Sequence, residues 1–229
     1  MAADAGLTRF YRLLRAAAVV GGLVLLWLVW RPATVSIPAN VVVTAADTAG
    51  FRGYPLGAES APVEIVEYAD YQCPACQDFE LVQFPDVKKQ LIETGRVRWV
   101  YRDYPLDNPH PFARLAAHSA ACADDQGRFW PQHALIYSGQ GEWSVERDAS
   151  GTFHDYAERN GLDLAKYDEC MQSARHAGRI QASYEIGSRL GVNSTPTFLI
   201  GGRLYAGRQS SDALKQLVDS LAPVAAPAP

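Results

Sequence analysis

Apolar residues along the chain recur with two different periods. Val63-Glu64-Ile65-Val66-Glu67-Tyr68 is β-branched and aromatic-rich and predicts a strand over 63–69, whereas Phe79, Leu81, Val82, Val87, Leu91 and Ile92 recur at helical spacing. Arg96-Val97-Arg98-Trp99-Val100-Tyr101 reads as a second strand, and Pro85 predicts a kink in the helix between them. Strand, helix and strand of this size form a right-handed βαβ unit. Between Asn108 and Gly191 the pattern turns helical. Ala113, Leu115, Ala116, Ala120 and Ala123 mark one helix, and Phe129, Trp130, Leu135 and Ile136 mark another. Further segments near 152–160, 163–172 and 175–190 are set apart by Gly127, Gly139, Gly141, Gly151 and Gly161. The strand pattern resumes at Thr197-Phe198-Leu199-Ile200, turns at Gly201-Gly202 and returns through Arg203-Leu204-Tyr205. A closing helix from Ser211 to Leu221 gathers Leu214, Leu217, Val218 and Leu221 on one face.

This pattern divides the chain into seven expected segments: a cytoplasmic N-terminus (1–12), a membrane anchor or signal segment (13–30), a linker (31–58), the first part of an α/β fold (59–107), an inserted helical domain (108–191), the second part of that fold (192–222) and a disordered Ala/Pro-rich tail (223–229). A length of 229 residues with 48% apolar and 20% charged content suits one substantial domain carrying an insertion. The net charge of -4 gives no basic footprint for nucleic acid.

Positive charge gathers at one place. Arg9, Arg12 and Arg15 precede the apolar run from Ala16 to Trp30. A helix of that run covers about 22 Å against a hydrocarbon core of about 30 Å, so a span needs Leu13 and Leu14 to join it and Arg15 to snorkel. An uncleaved anchor is expected. The alternative, the apolar core of a signal peptide, meets Arg31 and Pro32 at once and finds small-residue cleavage chemistry only at Val43-Thr44-Ala45. On either reading the positive-inside rule keeps the N-terminus cytoplasmic and delivers the rest outside, where disulfides persist.

The candidate chemistry lies at the first strand-to-helix junction, in Cys73-Pro74-Ala75-Cys76. Pro74 falls at a first-turn position, where its missing N–H costs nothing. A Cys73 thiolate there faces unpaired N–H groups and the positive end of the helix dipole, which lowers its pKa and makes it the attacking group. Cys76, one turn along and further inside, resolves the mixed disulfide. A C-x-x-C can also be half of a zinc site, but Cys122 and Cys170 are too far apart in sequence to supply a second pair. His110, His118, His133, His154 and His176 are scattered, show no ligand spacing and read as structural or surface residues. No metal or cofactor is expected.

Several separated motifs point to a family. Val66-Glu67-Tyr68-Ala69-Asp70-Tyr71-Gln72-Cys73-Pro74-Ala75-Cys76, Arg102-Asp103-Tyr104-Pro105-Leu106, Gly127-Arg128-Phe129-Trp130 and Val192-Asn193-Ser194-Thr195-Pro196-Thr197-Phe198 occur in the order in which the DsbA-like branch of the thioredoxin superfamily carries its counterparts. The chain resembles that branch from about residue 57 to about residue 222. The resemblance implies an α/β thioredoxin fold with an inserted helical domain, and a thiol:disulfide oxidoreductase facing the periplasm or cell exterior. It implies Cys73 as nucleophile, Cys76 as resolving thiol, and a cis proline at Thr195-Pro196 whose backbone receives an extended substrate segment. It also implies that Glu67, six residues before Cys73, is a buried carboxylate exchanging protons with Cys76; the alternatives are a Glu67 on an exposed strand face, as expected of Glu64, and Asp70, closer to the turn, in the proton-exchanging role. Tyr71, Phe79 and Phe198 read either as core or as an apolar surface for unfolded chains. Related proteins bridge two cysteines in the helical domain, which together with an oxidising compartment implies a structural Cys122–Cys170 disulfide; two buried free thiols are the alternative.

Ala75 departs from the pattern, because strongly oxidising members often carry histidine there. A less oxidising couple is expected, and the direction of net electron flow stays open. The principal reading is a monomeric enzyme, held to membrane lipid by its N-terminal helix, that donates its disulfide to exported cysteine-containing polypeptides. A membrane partner of the DsbB or vitamin K epoxide reductase type would reoxidise it. The alternatives are a reductase or isomerase, and a non-catalytic peptide-binding module.

Overall fold

A computed structural model of the chain describes residues 2–29 and 35–221. Linker residues 31–34, the last residue of the 13–30 segment and the tail 223–229 lie outside the described residues. The chain divides into two units, Met1–Thr34 and Val35–Pro229. The first is helix α1 (Ala2–Val29). Among the described residues, no helix is long and apolar enough to cross a membrane.

The second unit runs α2 (Ala45–Thr48), β1 (Tyr54–Leu56), β2 (Val63–Ala69), α3 (residues 74–92), β3 (Val97–Asp103), α4 (Ala113–Asp124), α5 (Phe129–Ser138), α6 (Gln140–Trp143), α7 (Ser150–Arg159), α8 (Leu164–Ser173), α9 (Ala177–Leu190), β4 (Thr197–Ile200), β5 (Arg203–Ala206) and α10 (Ser211–Leu221). The strands form one sheet in the order β1-β3-β2-β4-β5. β2 and β3 pair in parallel, Ile65 opposite Trp99, while β4 runs antiparallel to both β2 and β5. Helices Ala113 to Leu190 enter between β3 and β4.

Alternation along β2 sets the two faces of the sheet. Val63 and Ile65 face α3 and α10, meeting Phe79, Val87, Leu91, Trp99, Phe198, Leu214 and Val218 in one buried cluster. Tyr68 faces the other way, where Tyr104 and Val192 are buried with it and Tyr184 of α9 stacks on Tyr104 at 4.8 Å. The largest cluster fills the helical insertion and reaches Tyr71, Cys73 and Cys76, so the insertion and the C-x-x-C share a core. Cys122 and Cys170 are bridged, with Cα atoms 5.8 Å apart and a sequence separation of 48. Closing a loop of that length stabilises the fold by about 4 kcal/mol in the chain-entropy model.

Two expectations need correction. Residues 35–58 are not a linker: Ile37 is buried, α2 is closed by a reciprocal Thr44–Asp47 capping box, and β1 extends the sheet antiparallel to β3. Three strand residues with a proline in the middle carry no period-2 signal, and Pro55 is tolerated because β1 is an edge strand. Side chains hold the segment: Tyr54 stacks on Phe129 at 3.7 Å, and the Arg179 guanidinium lies 4.4 Å from the Phe51 ring centre. In α3, the irregularity expected at Pro85 spreads over two π turns, Phe79–Gln83 and Lys88–Ile92, either side of the α-helical turn Phe84–Val87 that contains the proline.

Gly53 shows that residues 35–58 are folded. Its φ is +112°, and a Cβ there would stand 2.5 Å from Val100 Cγ1 and 2.7 Å from the Tyr101 carbonyl. In a linker Gly53→Ala would be neutral. Here it should lower unfolding stability by on the order of 1–3 kcal/mol, read by urea denaturation, because the strained conformation and the overlap with backbone act together.

Candidate active site

Cys73 is the N-cap of α3, with extended backbone (φ -73°, ψ 121°) and Pro74 in the first turn. Its carbonyl accepts from the N–H groups of Cys76 and Gln77, each at 3.1 Å. Cys73 and Cys76 are both free thiols, the first 7% exposed and the second fully enclosed. The Cys73 thiol is lowered to about 6, chiefly by a hydrogen bond from the Cys76 thiol. The Thr195 side chain and the backbone N–H groups of Cys76 and Ala75 add to it, against the desolvation that opposes ionisation. Cys76 is pushed well above the ordinary thiol range, first by burial and then by its neighbour Cys73. The two sulfurs of one helical turn are thus tuned in opposite directions.

Beneath Cys76 lies a buried acid. Glu67 is fully enclosed on the β2 face shared with Ile65, while Glu64 is exposed. Trp99 Nε1 donates to Glu67 Oε2 at 3.3 Å, and Oε1 has no hydrogen-bond partner. Desolvation, followed by the nearby Glu80, holds the Glu67 carboxyl well above its usual range. Glu80, on the first π turn of α3, is raised to about 8 by burial. Beyond it His133 Nε2 of α5 lies 3.3 Å from Glu80 Oε2, and His133 Nδ1 meets the Tyr71 hydroxyl at 2.9 Å. Burial lowers His133 to about 3, so this contact joins a neutral imidazole to a neutral acid at pH 7. Glu80, His133, Tyr137 and Trp130 line a cavity of about 320 Å³ between α3 and α5.

The loop before Cys73 is clamped from three sides. Asp70 accepts from the N–H groups of Gln72 and Leu106, each at 2.7 Å, and pairs with His110 Nδ1 at 2.8 Å. The Gln72 side chain accepts from Phe112 N at 2.7 Å and donates to Ser144 O at 3.3 Å. Gln140 Nε2 donates to the carbonyls of Tyr71, at 2.7 Å, and Cys73, at 3.0 Å. All three draw on residues of the 108–191 segment, through His110, Phe112 with Ser144, and Gln140. The Thr195-Pro196 peptide is cis, and the Cys73 thiol donates to the Thr195 carbonyl at 3.5 Å.

The fold therefore brings Cys73, Cys76, Pro74, Ala75, Glu67, Thr195 and Pro196 together, and places Cys122 and Cys170 elsewhere. Tyr71, Phe79 and Phe198 are core residues rather than an apolar surface. Sequence reasoning missed Glu80, His133, Gln140 and the Asp70–His110 pair. A helical-wheel signal could have found Glu80, four residues after Cys76 and so on its face, but the partners on the insertion carry no such signal. It also missed a metal-ligand spacing: His118 and Cys122 are one turn apart on α4 and, with Cys170, form a group that could hold an ion, as do Asp125, Cys170 and His176. Neither group includes Cys73 or Cys76.

A family model described as Thioredoxin matches residues 52–220. The chain belongs to the thioredoxin family. Within curated relatives it is 35% identical over 214 residues to the Na(+)/H(+) antiporter NhaA 3 of Salinispora tropica, covering 89% of this chain and 31% of that protein. The chain thus spans about a third of the length of the antiporter relatives it matches. It is 25% identical over 168 residues to the probable disulfide bond formation protein D of Bacillus anthracis, covering 72% of this chain and 76% of the relative. Among solved structures, oxidised BdbD from Bacillus subtilis superposes with a TM-score of 0.67 at 21% identity, covering 83% of this chain and 98% of that one. Wolbachia pipientis α-DsbA1 also gives 0.67 at 21%, covering 74% and 90%. These likenesses show a DsbA-like thioredoxin fold.

The opposed thiols give a pH signature. In the reduced protein, iodoacetamide should alkylate Cys73 with a midpoint near pH 6 while Cys76 stays unmodified through the ordinary thiol range; a single midpoint near that of an ordinary thiol would contradict the site geometry. The linked stability has a definite sign. With its folded pKa below its unfolded one, Cys73 contributes stability to the reduced fold that is present above the unfolded thiol range and is lost as pH falls through about 6. Glu67→Gln keeps the side-chain shape but removes the proton. It should slow the step that releases or re-forms the Cys76 thiolate by up to about 10²-fold and leave attack by Cys73 nearly unchanged, as stopped-flow tryptophan fluorescence can resolve.

Proposed function

We propose that the chain is a thiol:disulfide oxidoreductase that exchanges its Cys73–Cys76 disulfide with cysteine-containing polypeptides outside the cytoplasm. The observation that carries this reading is the opposed tuning of the two sulfurs, Cys73 down to about 6 and Cys76 upward, over the buried Glu67. In the oxidising direction a substrate thiolate attacks Cys73 Sγ, the Cys73–Cys76 bond breaks, and Cys76 leaves with the electron pair. Cys76 is a poor leaving group as a bare thiolate, and the protonated Glu67 supplies its proton. A second substrate thiolate then attacks the substrate sulfur of the mixed disulfide. A substrate disulfide forms, and Cys73 departs as a stabilised thiolate. The backbone of Thr195-Pro196, against Cys73 Sγ, suits main-chain pairing with an extended segment and hence broad specificity.

The relatives named disulfide bond formation protein D support the oxidising direction. Ala75, which offers no positive charge to the thiolate, favours a milder couple and keeps a reductase or isomerase as the second reading. We read Arg9, Arg12 and Arg15 ahead of the apolar run as an N-terminal anchor that keeps the thioredoxin domain on the outer side, as a monomer. A membrane redox partner of the DsbB or vitamin K epoxide reductase type completes that reading.

Oxidation of a reduced two-cysteine peptide should fall to background in Cys73→Ala, and Cys76→Ala should accumulate mixed disulfides visible on non-reducing gels. Undiminished turnover by Cys73→Ala would defeat the enzyme reading in favour of a binding module. A Cys73–Cys76 reduction potential measured against glutathione decides between net oxidation and net reduction.

A further inference from the structure

The second cysteine pair sits within a cluster of metal-ligating groups that thiol exchange at Cys73 does not use. His118 and Cys122 are four residues apart on α4 and so share one helical face. Cys170 comes from α8, Asp125 from the end of α4 and His176 from the turn before α9. The donor atoms of His118, Cys122 and Cys170 lie within 4.8 Å of one another, as do those of Asp125, Cys170 and His176. The pattern is His-x3-Cys followed by Cys-x5-His, converging on Cys170.

His118 supplies an independent observation. Its Nε2 lies 3.0 Å from the Cys170 carbonyl oxygen, which can only accept, so Nε2 carries the hydrogen and Nδ1 keeps its lone pair. Nδ1 is buried without a hydrogen-bond partner, in a residue with no solvent exposure. An imidazole that donates one N–H to a backbone carbonyl and holds the other nitrogen bare has the arrangement of a metal-bound histidine. The neighbouring His176 is held by a carboxylate instead: its Nε2 meets Asp125 Oδ2 at 2.8 Å, and Arg175 donates to that same oxygen at 2.6 Å.

We propose that reduction of the Cys122–Cys170 disulfide opens a Zn²⁺ site formed by His118, Cys122 and Cys170, with a fourth ligand from the Asp125–His176 pair. Thiolate and imidazole donors suit this ion, and a tetrahedral set with sulfur at about 2.3 Å and nitrogen at about 2.0 Å places the two sulfurs roughly 3.8 Å apart, a separation open to them only once the S–S bond is broken. The chemistry balances. A dithiol reductant gives two electrons and two protons to the bridge and leaves as its own disulfide, and Zn²⁺ then displaces the two thiol protons. In reverse, an oxidant of the disulfide class takes two electrons from the zinc-bound sulfurs, the S–S bond re-forms and Zn²⁺ is released. The second pair would thus hold metal when reduced and expel it when oxidised. This is independent of exchange at Cys73.

The test uses the full chain carrying Cys73→Ser and Cys76→Ser, so that no other dithiol contributes. After anaerobic reduction, Co²⁺ should bind with one equivalent per chain, giving a thiolate-to-cobalt charge-transfer band and tetrahedral ligand-field bands, and Zn²⁺ should displace it. Addition of oxidised glutathione should release one Zn²⁺ per disulfide formed, read with a chromogenic chelator, and the oxidised chain should bind none. His118→Ala should weaken Zn²⁺ binding at least tenfold, and Cys122→Ser should abolish the charge-transfer band of the paired site. Circular dichroism covers the case in which the reduced chain is unfolded: one equivalent of Zn²⁺ should then restore helicity, and its failure to do so overturns the proposal. Absence of one-to-one binding by a folded reduced chain, or equal affinity in His118→Ala, likewise overturns it.

Discussion

Burial of ionisable groups without a counter-charge governs this molecule. Glu67, Glu80 and Cys76 are enclosed, and no lysine or arginine forms an ion pair with them among the described residues. In such surroundings an acid keeps its proton, because the charged form loses far more solvation than any neighbour returns. The cluster therefore keeps its protons beside the Cys76 thiol. Cys73 escapes this fate by a short displacement. It sits at the helix end, where backbone N–H groups and the Cys76 thiol point at it, and those donors outweigh its partial desolvation. One turn of helix separates a sulfur that is stable as an anion from one that is not.

The stored protons carry a stability cost whose direction follows from linkage. Glu80 stays protonated in the fold up to about pH 8, while the unfolded chain ionises it in the ordinary carboxylate range. Stability from this group therefore falls as pH rises across that window, opposite to the contribution of Cys73 in the reduced state. The α/β core carries this burden because the insertion shares its packing: Tyr71, Cys76 and Tyr101 belong to the same cluster as Phe129, Ile136 and Tyr137. The insertion also reaches the site directly through Gln140, which holds two carbonyls of the turn before α3. It is structurally part of the C-x-x-C site.

Local patterns made much of this readable before any coordinates. Val63–Ala69 is β-branched and aromatic-rich and the C-x-x-C lies at a strand-to-helix junction, so the strand and the thiols could be placed from the residues, whereas the burial of Glu67 rested on the resemblance. Resemblance was needed where physics alone was silent: nothing local in Thr195-Pro196 distinguishes a cis bond from the commoner trans one, and nothing local pairs Cys122 with Cys170. The segment 35–58 escaped because side-chain stacking, Tyr54 on Phe129 and Arg179 on Phe51, holds it in place of periodicity. Glu80 and His133 escaped for a related reason. Each looks like an ordinary surface residue of an amphipathic helix, and only the contact between α3 and α5 removes both from water.

Two cysteine pairs in one chain raise the problem of keeping a reactive pair from scrambling a structural one. Exposure gives part of the answer, since Cys122 and Cys170 are wholly enclosed while Cys73 retains a small opening. Electrostatics gives the rest. Near the second bridge Asp125 and Asp124 are already paired with Arg175 and Arg179, and the packed helical core gives an attacking thiolate no helix-end N–H groups comparable to those at Cys73, so exchange there is slower rather than forbidden. At the first pair the same anion meets the amino end of α3 and the backbone of residue 195. The separation of roles therefore rests less on the sulfurs, which are chemically alike, than on which of them the fold allows to remain charged.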